Sequence, residues 1–169
     1  MYLRAFCFAG LLVSCLAPWR VLAITPKPIV HDTAFAQLSS KVDQQPGKFV
    51  QFESKDSLHG ITATANSVTV MQGGTYLIVA SSQVTATKDG GCLDAWIVLN
   101  GQGVKNSGVR ICQAKAGNTN VVVSQLIMKL KKGDTIQVKT SGSNALLDSI
   151  APTGKPLIPS IIFTMWGLF

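Results

Sequence analysis

From residue 30 onward the chain is punctuated at short intervals by Gln72-Gly73-Gly74, Asp89-Gly90-Gly91, Asn100-Gly101, Gly117-Asn118 and Lys132-Gly133-Asp134. Gly, with Asn or Asp beside it, supplies the positive-φ backbone that tight turns require. Turns this close together leave room for strands and little for long helices. The runs between them are rich in β-branched and aromatic residues, and no window sustains a helical period. Candidate strands lie at 34–38, 49–52, 61–70, 76–85, 93–99, 104–111, 120–130, 135–140 and 160–169, a set that suits a sandwich. Alternation is plain in Thr135-Ile136-Gln137-Val138-Lys139, where Ile136 and Val138 are expected to face inward. Tyr76-Leu77-Ile78-Val79-Ala80 is instead apolar at every position, so both of its faces need cover, from a second sheet and a loop or from a neighbouring subunit.

A chain that is 47% hydrophobic and 14% charged has the composition of a globular protein, and its 15 Gly among 169 residues are too few for a collagen repeat. One domain is expected.

Residues 1–23 have the form of a cleaved export signal. Arg4 supplies the positive start, 5–17 the apolar run, Pro18 its end and Val21-Leu22-Ala23 a peptidase site. The run stops short of the ~20 residues that a spanning helix needs, so no stable membrane span is expected. Leu12-Val13-Ser14-Cys15 also has the form of a lipobox, and lipid anchoring at Cys15 is the alternative to cleavage. Residues 24–32 form an N-terminal segment, and 33–169 the domain.

Without the leader, which holds Arg4 and Arg20, 13 basic and 8 acidic side chains remain, a net charge of +5. Lys129, Lys131 and Lys132 form the only basic cluster, beside a turn, and no basic stripe is interleaved with aromatics; no nucleic-acid partner is expected. Two of the four cysteines also remain, Cys92 and Cys112. In an exported chain a disulfide is the natural inference, with two buried thiols or half of a metal site as alternatives. His31 and His59 have no ligand spacing, and no metal is assigned.

Several segments resemble the globular-head domain of complement C1q and its tumour-necrosis-factor-like relatives. Ala34-Phe35-Ala36 is similar to the family's opening Ala-Phe-Ser-Ala, and Gly74-Thr75-Tyr76-Leu77 to its Gly-x-Tyr-x-Phe strand. Leu130-Lys131-Lys132-Gly133-Asp134-Thr135-Ile136-Gln137-Val138 resembles Leu-x-x-Gly-Asp-x-Val-x-Val, and Ser160-Ile161-Ile162-Phe163-Thr164 the closing Ser-x-Phe-Ser/Thr strand. Cys92 and Cys112 resemble a pair that the complement chains bridge. Two features depart from the family: Met165-Trp166 stands where it has Gly and an aromatic, and no collagen stem precedes the domain. The resemblance implies an all-β, ten-stranded antiparallel jelly-roll sandwich that assembles as a homotrimer and binds an extracellular protein or glycan. Strands apolar at both parities ask for a partner surface, and Tyr76 and Phe163 are the expected interface residues.

No Gly-x-Ser-x-Gly elbow, His-Glu-x-x-His, P-loop or Gly-x-Gly-x-x-Gly is present, so neither an enzyme nor a cofactor is expected. Asp94 beside Trp96 is a candidate buried acid, with an outward, hydrated carboxylate as the plainer reading. Asp89, Asp94 and Asp148 form no recognisable calcium loop. Trp96 could stack on a sugar or peptide, or serve the core or an interface, and Trp166 shares that ambiguity. The leading function is a secreted trimeric binding or adhesion module. A structural surface or coat trimer is the alternative, as is an eight-stranded outer-membrane barrel, whose last strand would carry Ile161, Phe163, Met165 and Phe169 at period two. A secreted hydrolase is the remaining alternative.

Overall fold

The computed structural model describes residues 33–168, in which strands and turns form and no helix does. The leader, the Cys15 lipidation site, segment 24–32, His31 and Phe169 lie outside the described residues. The strands are β1 (Phe35–Ser40), β2 (Ser54–His59), β3 (Ile61–Ala63), β4 (Val68–Val70), β5 (Gly74–Ala86), β6 (Gly91–Leu99), β7 (Gln102–Gly103), β8 (Val109–Gln113), β9 (Thr119–Leu130), β10 (Thr135–Ser143), β11 (Ala145–Leu147) and β12 (Ile161–Gly167).

They make two antiparallel sheets of six strands each. In the first, β5 pairs with β9 from Gly74 to Thr85, and on its other side with β12 and then β11; β1 and β2 follow beyond β12. In the second the order is β3-β4-β10-β6, and β7 and β8 share the far side of β6. The chain changes sheet after β2, β4, β5, β8, β9 and β10.

One apolar core fills the space between the sheets. The first contributes Leu38, Tyr76, Ile78, Ile161, Phe163 and Met165, and the second Leu93, Ile97, Ile136 and Val138, all fully buried. Period-two strands do this directly: Ile136 and Val138 point in, while Gln137 and Lys139 remain partly exposed. The Tyr76 hydroxyl would be costly to bury unpaired, and it donates to Gln72 O at 2.7 Å.

Several sequence assignments change. Segment 49–52 is not a strand: Phe49 makes a single bridge to Lys139, while Val50 and Phe52 plug the core, Phe52 lying 5.5 Å from Phe163 between ring centres. Run 61–70 folds back on itself through a turn closed by Thr64 N donating to Ser67 O at 2.8 Å. Run 104–111 opens as a loop, and pairing starts only at Val109. Polar β2 and the short β7 and β11 carry no strong strand signal. The strands close into two sheets and not a single barrel of eight, and Ile161, Phe163 and Met165 point into the core.

Tyr76 and Phe163, the expected interface residues, are both 0% exposed within the single chain and face the core between the sheets. Each strand has two faces, and these two aromatics lie on the faces that fill the sandwich. A partner on this sheet would meet the opposite parity, Leu77 and Ile162.

Candidate functional site

The outward faces of the two sheets differ in character. On the first sheet the register aligns Ile127, Leu77, Trp166, Phe35 and His59 in one row across β9, β5, β12, β1 and β2. Phe35 lies 5.9 Å from Trp166 between ring centres, with the rings inclined by 25°, and 5.8 Å from His59. The next row is Gln125, Val79, Thr164 and Gln37, and the row after it Val123, Ser81, Ile162 and Ser39. Ile127 is 63% exposed, Val121 59% and Trp166 51%. Lys129, at one end, is the only charged residue at the outward positions of β1, β5, β9 and β12. Scattered surface apolar residues are normal, but a contiguous patch without charge marks a contact surface.

The second sheet's outward face is polar. Asp94 on β6 faces Arg110 on β8 and Ser141 on β10. Its carboxylate accepts from Arg110 Nε at 2.6 Å, Arg110 Nη2 at 3.0 Å and Ser141 Oγ at 3.2 Å. The Arg110 hydrogen bond holds the Asp94 carboxyl below its ordinary range, against a smaller opposing effect of burial, and Ser141 adds to the lowering. Asp94 is therefore an ionised, paired carboxylate and not the buried acid that its neighbours in sequence made a candidate.

Beside this pair the strand edge opens. β8 covers β6 from Gly91 to Ala95 and β7 covers Val98 and Leu99, so Trp96 and Ile97 fall in the gap between them. Ser107 closes the backbone there: its Oγ accepts Ile97 N–H at 3.0 Å and donates to Val104 O at 2.8 Å, and its carbonyl accepts Ser124 Oγ at 2.6 Å. The result is a hollow of about 470 Å³ lined by Asp94, Ala95, Trp96, Gly103, Val104, Gly108, Val109 and Arg110. A side chain at Gly103 would start 3.6 Å from Trp96 Cδ1 and Nε1, so its absence keeps the indole edge open.

A second hollow of about 470 Å³ lies against Val42, Gln44, Lys48, Phe49 and Glu53. Its polar groups serve each other. Gln44 Nε2 donates to Ser40 Oγ at 2.8 Å and Gln51 O at 3.0 Å, and Glu53 accepts from Ser40 Oγ and Lys41 N.

Cys92 and Cys112 are register partners on β6 and β8 and form a disulfide, with Cα atoms 4.1 Å apart. Gly91, next to it, packs so closely on Asn144 that a Cβ would meet the carbonyl at 2.0 Å. Asp89 accepts from Ala116 N and Lys115 Nζ, both at 2.9 Å, while Asp148 accepts from Thr85 Oγ1. Asp89, Asp94 and Asp148 thus serve three separate local contacts, and no cluster of three metal-ligating side chains occurs among the described residues. In the Gly133-Asp134 turn, Asp134 accepts from Lys131 N at 2.7 Å and Asn100 Nδ2 at 2.9 Å, which ties it to the Asn100-Gly101 turn. No helix among the described residues is long and apolar enough to cross a membrane.

Compared with known proteins, the chain matches no family model and no curated sequence.

Proposed function

We propose that this chain is a secreted, non-catalytic binding module that works as a homotrimer of the C1q-head or tumour-necrosis-factor-like type. The observation that carries the reading is the outward face of β1, β5, β9 and β12, charged only at Lys129, with Ile127, Leu77, Trp166 and Phe35 in one row. Covering such a face with further copies of the chain removes its apolar area from water. A closed threefold ring uses the same contact three times and leaves no free edge.

The order in which the chain visits the sheets supports the jelly-roll part of the reading. With the short β7 and β11 set aside, ten strands divide five and five, and β5, β9 and β12 lie together in one sheet with β4, β6 and β10 in the other. The disulfide favours a non-reducing compartment. A binding role is favoured for Asp94, the acid lining the Trp96 hollow, because its carboxylate is already engaged by Arg110 and Ser141.

Light scattering of the exported protein at micromolar concentration tests the assembly. The expected mass is three times that of one chain, and a stable, monodisperse monomer overturns the proposal. Capture of a soluble protein or glycan by that trimer supports a binding module over a surface coat, whereas self-association into extended arrays without a ligand supports the coat.

A further inference from the structure

The hollow over Trp96 presents polar groups that the fold leaves unused. Arg110 engages Asp94 through Nε and Nη2, and Nη1 makes no hydrogen bond to a described residue. The Trp96 Nε1–H likewise has no acceptor among the described residues, and it is not buried: Ser82 Oγ is the one buried, unpaired side-chain polar atom among them. Asp94 already accepts three hydrogen bonds, and a carboxylate has about four acceptor positions. Free donors and a remaining acceptor position therefore line the same hollow as an indole and two valines.

We propose that this hollow binds a neutral pyranose ring of a glycan, packed against the open edge of the Trp96 indole, with its hydroxyls on Arg110, Asp94 and the indole N–H. The proposal rests on the binding-module reading and names the ligand class of one of its surfaces. Hydroxyl groups are the complement that these groups call for, because each can accept from Arg110 or Trp96 and donate to Asp94. An aliphatic side chain would leave those donors unpaired, at a desolvation cost.

The charges point to a neutral ligand. Arg110 and Asp94 neutralise each other within the hollow. Lys139, the cross-strand neighbour of Trp96, places its ammonium over the Phe49 ring at 5.5 Å. No uncompensated cation remains among the lining residues to select a sulfate or carboxylate. The site is also held in advance of binding: Ser141 and Arg110 fix the carboxylate, and Ser107 fixes the loop that carries Val104 and Gly108.

The test is a titration of the exported, oxidised protein against immobilised neutral hexose and N-acetylhexosamine oligosaccharides, with sialylated and sulfated glycans as comparison arms. Three variants accompany it. Arg110→Ala removes a side chain that is 70% exposed, Trp96→Phe keeps an aromatic ring but deletes the N–H, and Gly103→Val fills the hollow. At least one neutral glycan should bind, and each variant should weaken it by about tenfold or more while remaining folded with the assembly mass unchanged. Binding confined to anionic glycans, binding insensitive to Arg110→Ala and Gly103→Val, or no glycan binding at all would overturn the proposal. Light scattering on the same samples separates the two claims: a trimer that ignores glycans removes the sugar site alone, and a monomer that binds through Trp96 removes the assembly alone.

Discussion

Leu77 and Tyr76 are sequence neighbours on β5 with opposite surroundings: Tyr76 is sealed in the core, while Leu77 stands between Ile127 and Trp166 on the apolar row of the outward face. An acidic substitution at each of these two faces should therefore have a different outcome.

Ile127→Asp should leave the fold intact, since the side chain is largely exposed in the single chain, and should dissociate the assembly by placing a charge in a dry contact. Tyr76→Asp should unfold the chain by several kcal/mol, because the charge would enter the core. Light scattering with thermal unfolding followed by circular dichroism distinguishes the two. Loss of folding in Ile127→Asp would show that this face belongs to the fold and not to a contact between copies.

The Cys92–Cys112 bridge closes a chain segment with a sequence separation of 20. Replacing both cysteines with Ser should cost about 3 kcal/mol through the freed unfolded chain and lower the melting temperature by roughly 10 °C. Calorimetry of the double variant checks this, and an unchanged melting temperature would show that the bridge does not contribute through the unfolded chain.

Acid should weaken the fold through its paired carboxylates. Asp94 is lowered first by the Arg110 hydrogen bond, Asp134 by the Lys131 amide and then Asn100, and Asp89 by the Ala116 amide and then Lys115. Each has an ordinary value of 3.8 and a folded-state value below it. The stabilisation is complete above 3.8 and disappears as pH falls through the lowered folded-state values. Denaturant midpoints should therefore be flat from neutral pH to about 5 and fall below 4, and Asp94→Asn should lose part of that slope.

Ser107→Ala should destabilise by about 1–3 kcal/mol, since it strips the Ile97 N–H of its acceptor in a buried gap between β7 and β8. Hydrogen exchange at Ile97 should rise with it, and glycan binding at Trp96 should weaken as the 104–108 loop loosens.

The long strands were legible because their chemistry repeats at period two: β10 alternates cleanly, and β5, β9 and β12 were found to within a few residues. Ser54–His59 was not, since an edge strand held on one side tolerates Lys55 and Asp56, which carry no strand signal. The inward parity of β5 and β12 was likewise illegible, because a strand apolar at both parities does not say which set faces the core; Tyr76 and Phe163 take the interior while Trp166 stays outside. Trp96 was visible as a lone aromatic. Its site was not, because Arg110 reaches Asp94 only through a register set 16 residues along the chain.

The two outward faces sit on opposite layers of one sandwich, and that separation fixes a valency. A ring closed on the first sheet turns the second sheet of every copy away from the axis, so three sugar-binding hollows would point outward in different directions. Such an arrangement cannot grip one short oligosaccharide three times over. It can hold three separate chains, and its strength on a surface would then depend on how densely that surface displays the sugar.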